Sequence, residues 1–333
     1  MNGLGAFLRR IVRSREISIV IAFVVIVAAT TSVNSHFLFS ADGWKQLLIN
    51  PTMLVALAIG EAFVIITKSF DLSVGSVLGL TAFMVGSMYL AWPQMPVIVA
   101  FLFAIALGTL LGFVNGGLVA LAKVPGMVIT LGTMYIYRGI DILWAGTKRI
   151  NATNMSQDFL AFGNAQILTI PALAILAVVV LAGASWYLRN MRSGREFYAI
   201  GSAPDAAELC GLAIGRRRLA AFTISGAMAG LAGAMFAARY GTVASDAGTG
   251  FELQAIGAAV IGGVAIVGGS GTVIGAALGA LLLTTINSAL PVLGISSLWQ
   301  QAVVGILIIG AITLDRTLAA RRARLLVAER MRT

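Results

Sequence analysis

Ten apolar runs, most of them close to 20 residues long, constrain what this chain can fold into more than any other feature. A helix needs about 20 apolar residues to span the hydrocarbon core of a bilayer. The runs lie at 17–34, 50–67, 72–91, 97–121, 126–145, 168–188, 219–238, 252–268, 272–293 and 298–315. Only 11% of the 333 residues are charged, too few to cover a soluble fold of this length. We therefore predict an all-α polytopic membrane protein with about ten transmembrane helices.

The basic residues favour an orientation with both termini in the cytoplasm, because cytoplasmic loops collect Lys and Arg. With the N-terminus inside, 18 of the 23 basic residues fall on cytoplasmic segments, four fall outside, and Arg138 lies within a span. The predicted organisation is a cytoplasmic N-terminal segment at 1–16, a transmembrane domain at 17–315 with a cytoplasmic loop at 190–218, and a basic cytoplasmic tail at 316–333. The net charge of +10 is then a sign of membrane orientation rather than of nucleic-acid binding.

The two halves of the chain echo each other. Phe-Asp-Leu at 70–72 is matched by Phe-Glu-Leu at 251–253, and Leu-Gly-Thr-Leu-Leu at 107–111 by Leu-Gly-Ala-Leu-Leu at 278–282. Under the predicted topology the second span runs inward and the seventh runs outward. Spans 2–5 and 7–10 would then form inverted-topology repeats, which are common in transporters. The alternative is a chance similarity between helices rich in Gly and Leu.

The motifs of most catalytic sites are missing from the sequence. With one cysteine, Cys210, and one histidine, His36, neither an intramolecular disulfide nor a usual metal site can form. No Gly-Lys-Ser or Gly-Lys-Thr occurs, so a P-loop for ATP is excluded. The glycines Gly268, Gly269 and Gly271 fail the dinucleotide-binding pattern and are interpreted as a tight turn between two helices. We therefore expect no enzyme activity and no cofactor in this chain.

Ionisable residues inside the apolar runs are functional candidates by default. Asp71 and Glu252 lie where spans begin, and we expect loop water to solvate them. Arg138 and Asp141 are three residues apart on one helix face and are predicted to pair. Glu61 is left as the one deeply embedded carboxylate without an evident partner. So few buried charges argue against transport driven by an ion gradient.

Neutral polar side chains in the spans are candidates for a solute pathway. Together with Glu61, the predicted pathway residues are Asn115, Thr130, Thr133, Asn287, Gln300 and Gln301. The alternative role for each is an interhelical hydrogen bond.

The long loop at 190–218 contains a short predicted helix between basic flanks. Ser202 can cap its N-terminus, Pro204 fits the first turn, Asp205 lies near the positive end of the dipole, and Gly211 can end it. The residue types leave two roles open. One is a loop held on the lipid surface by Arg and anionic headgroups, and the other is a docking helix for a cytoplasmic partner.

Several stretches of this chain resemble permease subunits of bacterial ATP-binding-cassette sugar importers, the group handling ribose, xylose, rhamnose and autoinducer-2. The matching stretches are FDLSVGSVLGL (70–80), NGGLVALAKVPGMVITLGTMYIYRGI (115–140), GREFYAIGSAPDAAELCGLAIGRRR (194–218), FTISGAMAGLAGAMFAARYG (222–241) and FELQAIGAAVIGGVAIVGGSGTVIGAALGALL (251–282). The stretch at 287–309 is most similar to the rhamnose and autoinducer-2 branches.

This resemblance implies a multi-pass subunit of the bacterial inner membrane that forms the pathway for a neutral, monosaccharide-type solute. It would pair with a second permease, identical or related, and dock two cytoplasmic cassette ATPases, which would use ATP and Mg. A periplasmic binding protein would deliver the sugar. The alternative function is an ion-gradient-driven secondary transporter of small polar solutes.

By the same resemblance, the short helix in the loop is the coupling helix that enters a groove on the ATPase. The predicted coupling residues are Ser202, Pro204, Asp205, Ala206, Ala207, Glu208, Leu209 and Gly211. A bulky charge at Ala207 is then expected to abolish transport while leaving membrane insertion intact.

Overall fold

Helices make up nearly all of the regular structure in the computed structural model, which describes residues 15–40, 42–122, 124–307, 309–310 and 313. In chain order they are α1 (Arg15–Val33), α2 (His36–Phe39), α3 (Gly43–Ile49), α4 (Pro51–Ile66), α5 (Val74–Ala91), α6 (Val97–Ala122), α7 (Gly126–Ala145), α8 (Gln157–Asn164), α9 (Ala172–Asn190), α10 (Arg192–Ser202), α11 (Pro204–Leu209), α12 (Ile214–Tyr240), α13 (Phe251–Ile261) and α14 (Val273–Val292). Residues 300–307 are also helical. An antiparallel hairpin joins β1 (Gln166–Ile167) to β2 (Ile170–Pro171), with Gln166 opposite Pro171.

Eight of the ten predicted spans coincide with long helices, whose ends agree with the prediction to within five residues. They are α1, α4, α5, α6, α7, α9, α12 and α14. Six of these, and the stretch Gly43–Ile66 formed by α3 and α4 together, are long and apolar enough to cross a membrane. The eighth, α7, carries Arg138 and Asp141. The predicted segments at 1–16 and 316–333, and much of the predicted span at 298–315, lie outside the described residues.

The predicted span at 252–268 is wrong as a full crossing. Its helix α13 has 11 residues, which at 1.5 Å per residue is about half the thickness of the hydrocarbon core. The preceding segment, 241–250, holds Gly241, Gly248 and Gly250 at positive φ, so it cannot continue a helix. A Cβ on Gly75, in the first turn of α5, would meet the Gly248 carbonyl oxygen at 2.5 Å. Non-helical backbone therefore enters the bundle, and α13 begins inside it beside the start of α5.

Small residues let α12 cross α6 with their backbones in contact. Gly108 and Gly112 of α6 face Gly226 and Gly230 of α12, and a Cβ on Gly112 would lie 2.9 Å from the Gly226 Cα. Between membrane helices, packing contacts rather than a hydrophobic drive hold the pair together. The four-residue spacing of these glycines is thus explained by close helix packing.

We expect Gly112→Val to prevent this crossing, because its side chain would overlap the α12 backbone. Overpacking of this kind costs about 1–3 kcal/mol or more. The expected result is a lower midpoint of thermal unfolding in detergent and less folded protein in the membrane. Gly117→Val is the matched control, since no atom lies within 4 Å of a Cβ at Gly117 on the same helix. Equal stability of the two variants would contradict the packing role.

Each of the two helices that the predicted inverted repeat relates packs against helices of the other half of the chain. The second span, α4, packs against α13 and α14, while its counterpart α12 packs against α5 and α6. The two also contact each other at the centre, where 89% of the most apolar window of Gly43–Ile66 is buried. Only 28% of the most apolar window of α6 and 22% of that of α9 are buried, as expected for helices that pack on one side and face lipid on the other.

The loops gather at two ends of the bundle. At the end that we name the coupling-loop face, the Gly269 amide donates to the Ile66 carbonyl at 2.9 Å and the Thr272 hydroxyl donates to Glu16 at 3.1 Å. At the opposite face, Ile150 pairs with Val243 in a short antiparallel bridge. The relative sides of these loops agree with the predicted topology.

Candidate coupling surface and buried polar network

The loop at 190–218 folds into two short helices, α10 and α11, on the coupling-loop face. Pro204 occupies the first turn of α11, as predicted. Gly211 follows the helix at a φ of +77°, its amide donates to the Glu208 carbonyl, and the Leu212 amide donates to the Ala207 carbonyl at 3.0 Å. These two bonds form the glycine-terminated end typical of helices.

The predicted N-cap of this helix is wrong. Ser202 is the last residue of α10, and its hydroxyl donates back to the Ala199 carbonyl at 3.1 Å. Ala203 lies in the cap position without a side-chain bond. The residues before it form the helix α10, which the sequence did not predict, so Ser202 closes one helix instead of opening the next.

Most of the predicted coupling residues form the exposed surface of α11. Ser202, Asp205, Ala206, Glu208, Leu209 and Gly211 are exposed, and Pro204 is half-buried. Leu209 is 90% exposed, the most accessible large apolar side chain of the loop. Ala207 is only 5% exposed and faces inward. The helix buries this position against its own loop, so Ala207 does not form part of the exposed surface, and its predicted role in coupling stays a prediction.

The end of α10 is locked onto the membrane helices through glycine contacts. A Cβ on Gly201 would overlap the Ile66 carbonyl oxygen and lie 2.5 Å from the Gly269 nitrogen. Gly269 itself, at a φ of +74°, lies against Ser202. We name this three-way contact among Ile66, Gly201 and Gly269 the loop junction. The glycines predicted as a helix turn thus also seat the coupling loop.

Two polar contacts reinforce the loop junction. The Arg217 guanidinium at the start of α12 donates to Glu196 of α10 at 2.6 Å, and the Tyr198 hydroxyl donates to the Gly271 carbonyl at 3.1 Å. The hydrogen bond from Arg217 holds the pKa of the Glu196 carboxyl below its usual value. The pair therefore stays ionised at neutral pH. In all, α10 contacts the membrane helices α4, α9 and α12 and the turn before α14.

A buried polar network lies between the starts of α5 and α7 and the middle of α6 and α12. The Asp71 carboxylate accepts from the Ser73 amide at 3.0 Å, the Ser73 hydroxyl at 2.6 Å and the Ser225 hydroxyl at 2.9 Å. The Asn115 amide donates to the Ser73 hydroxyl at 2.7 Å, and its carbonyl accepts from Tyr137 at 3.0 Å. In this conformation the polar atoms of these side chains are already engaged in hydrogen bonds within the bundle.

The predicted pathway residues do not form one cluster. Asn115 belongs to the network, and Thr130 binds the backbone beside it, accepting from the Leu72 amide at 3.1 Å. Thr133 is buried and donates within its own helix. Glu61 is fully buried next to Asp71, and its carboxylate has no hydrogen-bond partner among the described residues.

The remaining three pathway residues lie on other helices. Asn287 is half-buried in α14, and the Gln300 side chain donates to its backbone carbonyl at 3.1 Å. Gln301 is exposed. The described residues therefore place one pathway candidate, Asn115, in the network, two beside it and three at the end of α14 and the following helix, while Thr133 only supports α7.

Sequence reasoning missed the most connected residues of the network. Asp71 was expected to be solvated, but it is 1% exposed because residues 67–73 fold back into the bundle. The only indication in the sequence that Asp71 has a special role was the match between Phe-Asp-Leu at 70–72 and Phe-Glu-Leu at 251–253. Arg138 and Asp141 do approach each other, at 3.9 Å, yet Arg138 donates at 2.6 Å to the Ala247 carbonyl of the non-helical segment. Glu252 is half-buried and accepts from the Gly250 amide.

We expect Ser225→Ala to destabilise the bundle by about 1–3 kcal/mol, because it leaves one oxygen of a buried carboxylate without its donor. The measurement is thermal unfolding of the purified protein in detergent. Thr223→Ala is the control on the same helix, since the Thr223 hydroxyl bonds only to the Leu219 carbonyl of its own turn. A larger effect at Thr223 than at Ser225 would refute the role of the network.

No group of three or more metal-ligating side chains occurs among the described residues. The arrangement is a small exposed helix whose neighbouring helix α10 contacts the helical bundle through glycines at the loop junction.

Comparison with known proteins shows the family to which this chain is similar. Residues 45–312 match the family described as "Branched-chain amino acid transport system / permease component". The autoinducer 2 import system permease protein LsrC of Enterobacter sp. (strain 638) is 36% identical over 308 residues, covering 92% of this chain and 88% of that protein. The proteins of the same name from Shigella flexneri and Salmonella typhi are 36% and 37% identical to this chain. The matches cover 89% and 87% of those proteins, respectively. No solved structure gives a significant match.

The matched region contains the coupling loop, the loop junction and the buried network, so the family relation covers these three features. Members of this family are transport components and do not carry the ATPase site. The chain therefore belongs to the family of permease components of import systems, as a multi-pass subunit of the inner membrane.

Proposed function

We propose that this permease imports a small neutral sugar-like solute of the autoinducer-2 type. Two observations support this substrate class. The similar proteins are named as autoinducer 2 import permeases, and only 11% of the chain is charged, with few ionisable groups at membrane depth. A pathway of this kind has little to offer a charged solute.

In the proposed assembly, the coupling-loop face and both termini are cytoplasmic. The distribution of 18 of 23 basic residues supports this orientation. Two cassette ATPases would dock on this face and would bind the ATP and Mg, so this chain needs no cofactor. A second permease subunit would complete the pathway, and a periplasmic binding protein would deliver the solute at the opposite face.

The observation that carries the proposal is the junction between an exposed helix and the bundle. α11 presents Leu209 and its neighbours to solvent, while the end of α10 contacts α4 and the turn before α14 without any intervening side chain at Gly201. Movement of a docked ATPase would therefore pass directly to helices of both repeats. Since a ligand shifts a conformational equilibrium only through different affinities for its states, nucleotide binding must favour one position of this loop.

The test is uptake into proteoliposomes that contain the permease with its cassette ATPase and binding protein. We expect uptake of autoinducer-2 that needs internal ATP and is unchanged by an ionophore. Uptake that survives ATP removal and collapses with the ionophore would establish the secondary-transporter alternative. Ribose, xylose and rhamnose as competitors would separate the sugar classes, and strong competition by any of them would replace the proposed substrate.

A further inference from the structure

A continuous groove runs along α9 from near the start of this helix to the coupling-loop face. Its inner part, of about 200 Å³, is an apolar channel lined by α4, α9 and α14, with Val55, Leu181 and Leu278 among its walls. The next part shares Leu181 and adds Ser185 and Arg189. The outer part, of about 460 Å³, shares Ser185 and Arg189 and opens at the face. Shared walls make the three parts one groove.

The mouth of the groove is polar and carries two guanidinium groups. Arg189 and Arg195 line it together with Tyr198 and Thr272. Arg195 also donates to the Asn190 carbonyl at 3.0 Å. Glu16 is the one carboxylate among the described lining residues, and it accepts a hydrogen bond from the Thr272 hydroxyl at 3.1 Å.

The position of the groove indicates which kind of molecule can occupy it. It is open toward the lipid side of α9, of whose most apolar window only 22% is buried, and Val178 on its wall is 62% exposed. Trp186, 56% exposed, lies between the apolar part and the mouth, where an aromatic residue marks the interface between membrane and water. A molecule that fills the groove must be apolar along one end and anionic at the other.

We infer that this groove binds an anionic phospholipid, with an acyl chain in the apolar channel and the phosphate between Arg189 and Arg195. Basic pockets between membrane helices on the cytoplasmic side hold anionic headgroups in this way. The assignment to the cytoplasmic leaflet rests on the proposed orientation of the permease. The bound headgroup would also contact Tyr198, whose hydroxyl holds the Gly271 carbonyl at 3.1 Å. The lipid would thereby brace α10 against the loop junction.

The test uses the purified full-length permease in detergent, titrated with phosphatidylglycerol or phosphatidylcholine and followed by native mass spectrometry and thermal unfolding. We expect retention of phosphatidylglycerol and a higher unfolding midpoint, with little effect of phosphatidylcholine. The double variant Arg189→Gln/Arg195→Gln should weaken phosphatidylglycerol binding by about 30-fold. The double variant Lys148→Gln/Arg149→Gln removes the same charge from exposed positions on the opposite face and should leave binding unchanged.

A second pair of variants tests the part of the groove that joins the mouth to the apolar channel, without altering charge. Ala182→Phe should obstruct the groove and reduce lipid retention, because Ala182 lines it. Val179→Phe, at an exposed position on the same helix outside the lining, should not. Equal binding of the two lipids would overturn the proposal, and so would a midpoint shift produced by inorganic phosphate alone. Neither readout involves transport, so failure here is distinct from failure of the proposed function.

Discussion

Replacing Gly201 by alanine is expected to reduce transport by at least about tenfold, although the change adds a single carbon atom. That carbon would overlap the Ile66 carbonyl oxygen and lie 2.5 Å from the Gly269 nitrogen. The Ile66 carbonyl is also the acceptor for the Gly269 amide, so any shift that relieves the overlap breaks a bond between α4 and the turn before α14. Backbone atoms at this site cannot move aside as a flexible side chain could.

The measurement combines ATP-dependent uptake with the ATPase activity of the assembled transporter and thermal unfolding of the permease. We expect ATP hydrolysis that no longer responds to the loaded binding protein. Gly215→Ala is the matched control, because its Cβ would meet only the Ala120 Cβ at 3.7 Å, an ordinary contact. Alanine also favours helix over glycine, so the control should be neutral or stabilising. Normal uptake by Gly201→Ala would show that the loop junction does not transmit movement.

Replacing Leu209 by glutamate is expected to abolish transport without altering the fold of the permease. The side chain is 90% exposed at the end of α11, so the substitution removes no internal contact. An exposed leucine side chain gains free energy when a partner's apolar groove removes it from water. A charge there would have to be buried on docking, at a high cost in free energy.

The measurement is co-purification of the ATPase with the permease, together with uptake and the unfolding midpoint. We expect loss of the ATPase and of uptake at an unchanged midpoint. Leu168→Glu is the control, since Leu168 is 91% exposed on the opposite face. Ala207→Glu should behave differently from Leu209→Glu and lower the midpoint, because Ala207 is buried within the loop. Retention of the ATPase by Leu209→Glu would refute the docking surface.

The contrast between Ala207 and Leu209 shows where sequence reasoning reached its limit at the coupling surface. The residue types predicted a short helix that starts with Pro204 and ends at Gly211, and both features are present. Which side of a six-residue helix faces its own loop depends on how α10 and α12 approach it. With mostly small side chains there is no amphipathic pattern to indicate that side.

Long apolar helices were predictable because the bilayer imposes a length and a composition on each span. The eight spans that coincide with helices owe their agreement to that single constraint. The prediction failed at 252–268, where apolar residues are present but a full crossing helix is not. There the helix ends at Ile261 and the positive φ of Gly263 and Gly268 keeps the chain from continuing as a helix, whereas hydropathy does not register backbone conformation.

The sequence by itself thus determined the all-helical membrane fold, the location of the long loop and the family, since each depends on composition, local pattern or extended similarity. Only the tertiary structure decided that Asp71 is buried against Ser225, 154 residues away, and that Gly201 seats the coupling loop on Ile66 and Gly269. These contacts join segments distant in the chain. Their geometry follows from how closely helices can approach, a property of the packed bundle that no single segment contains.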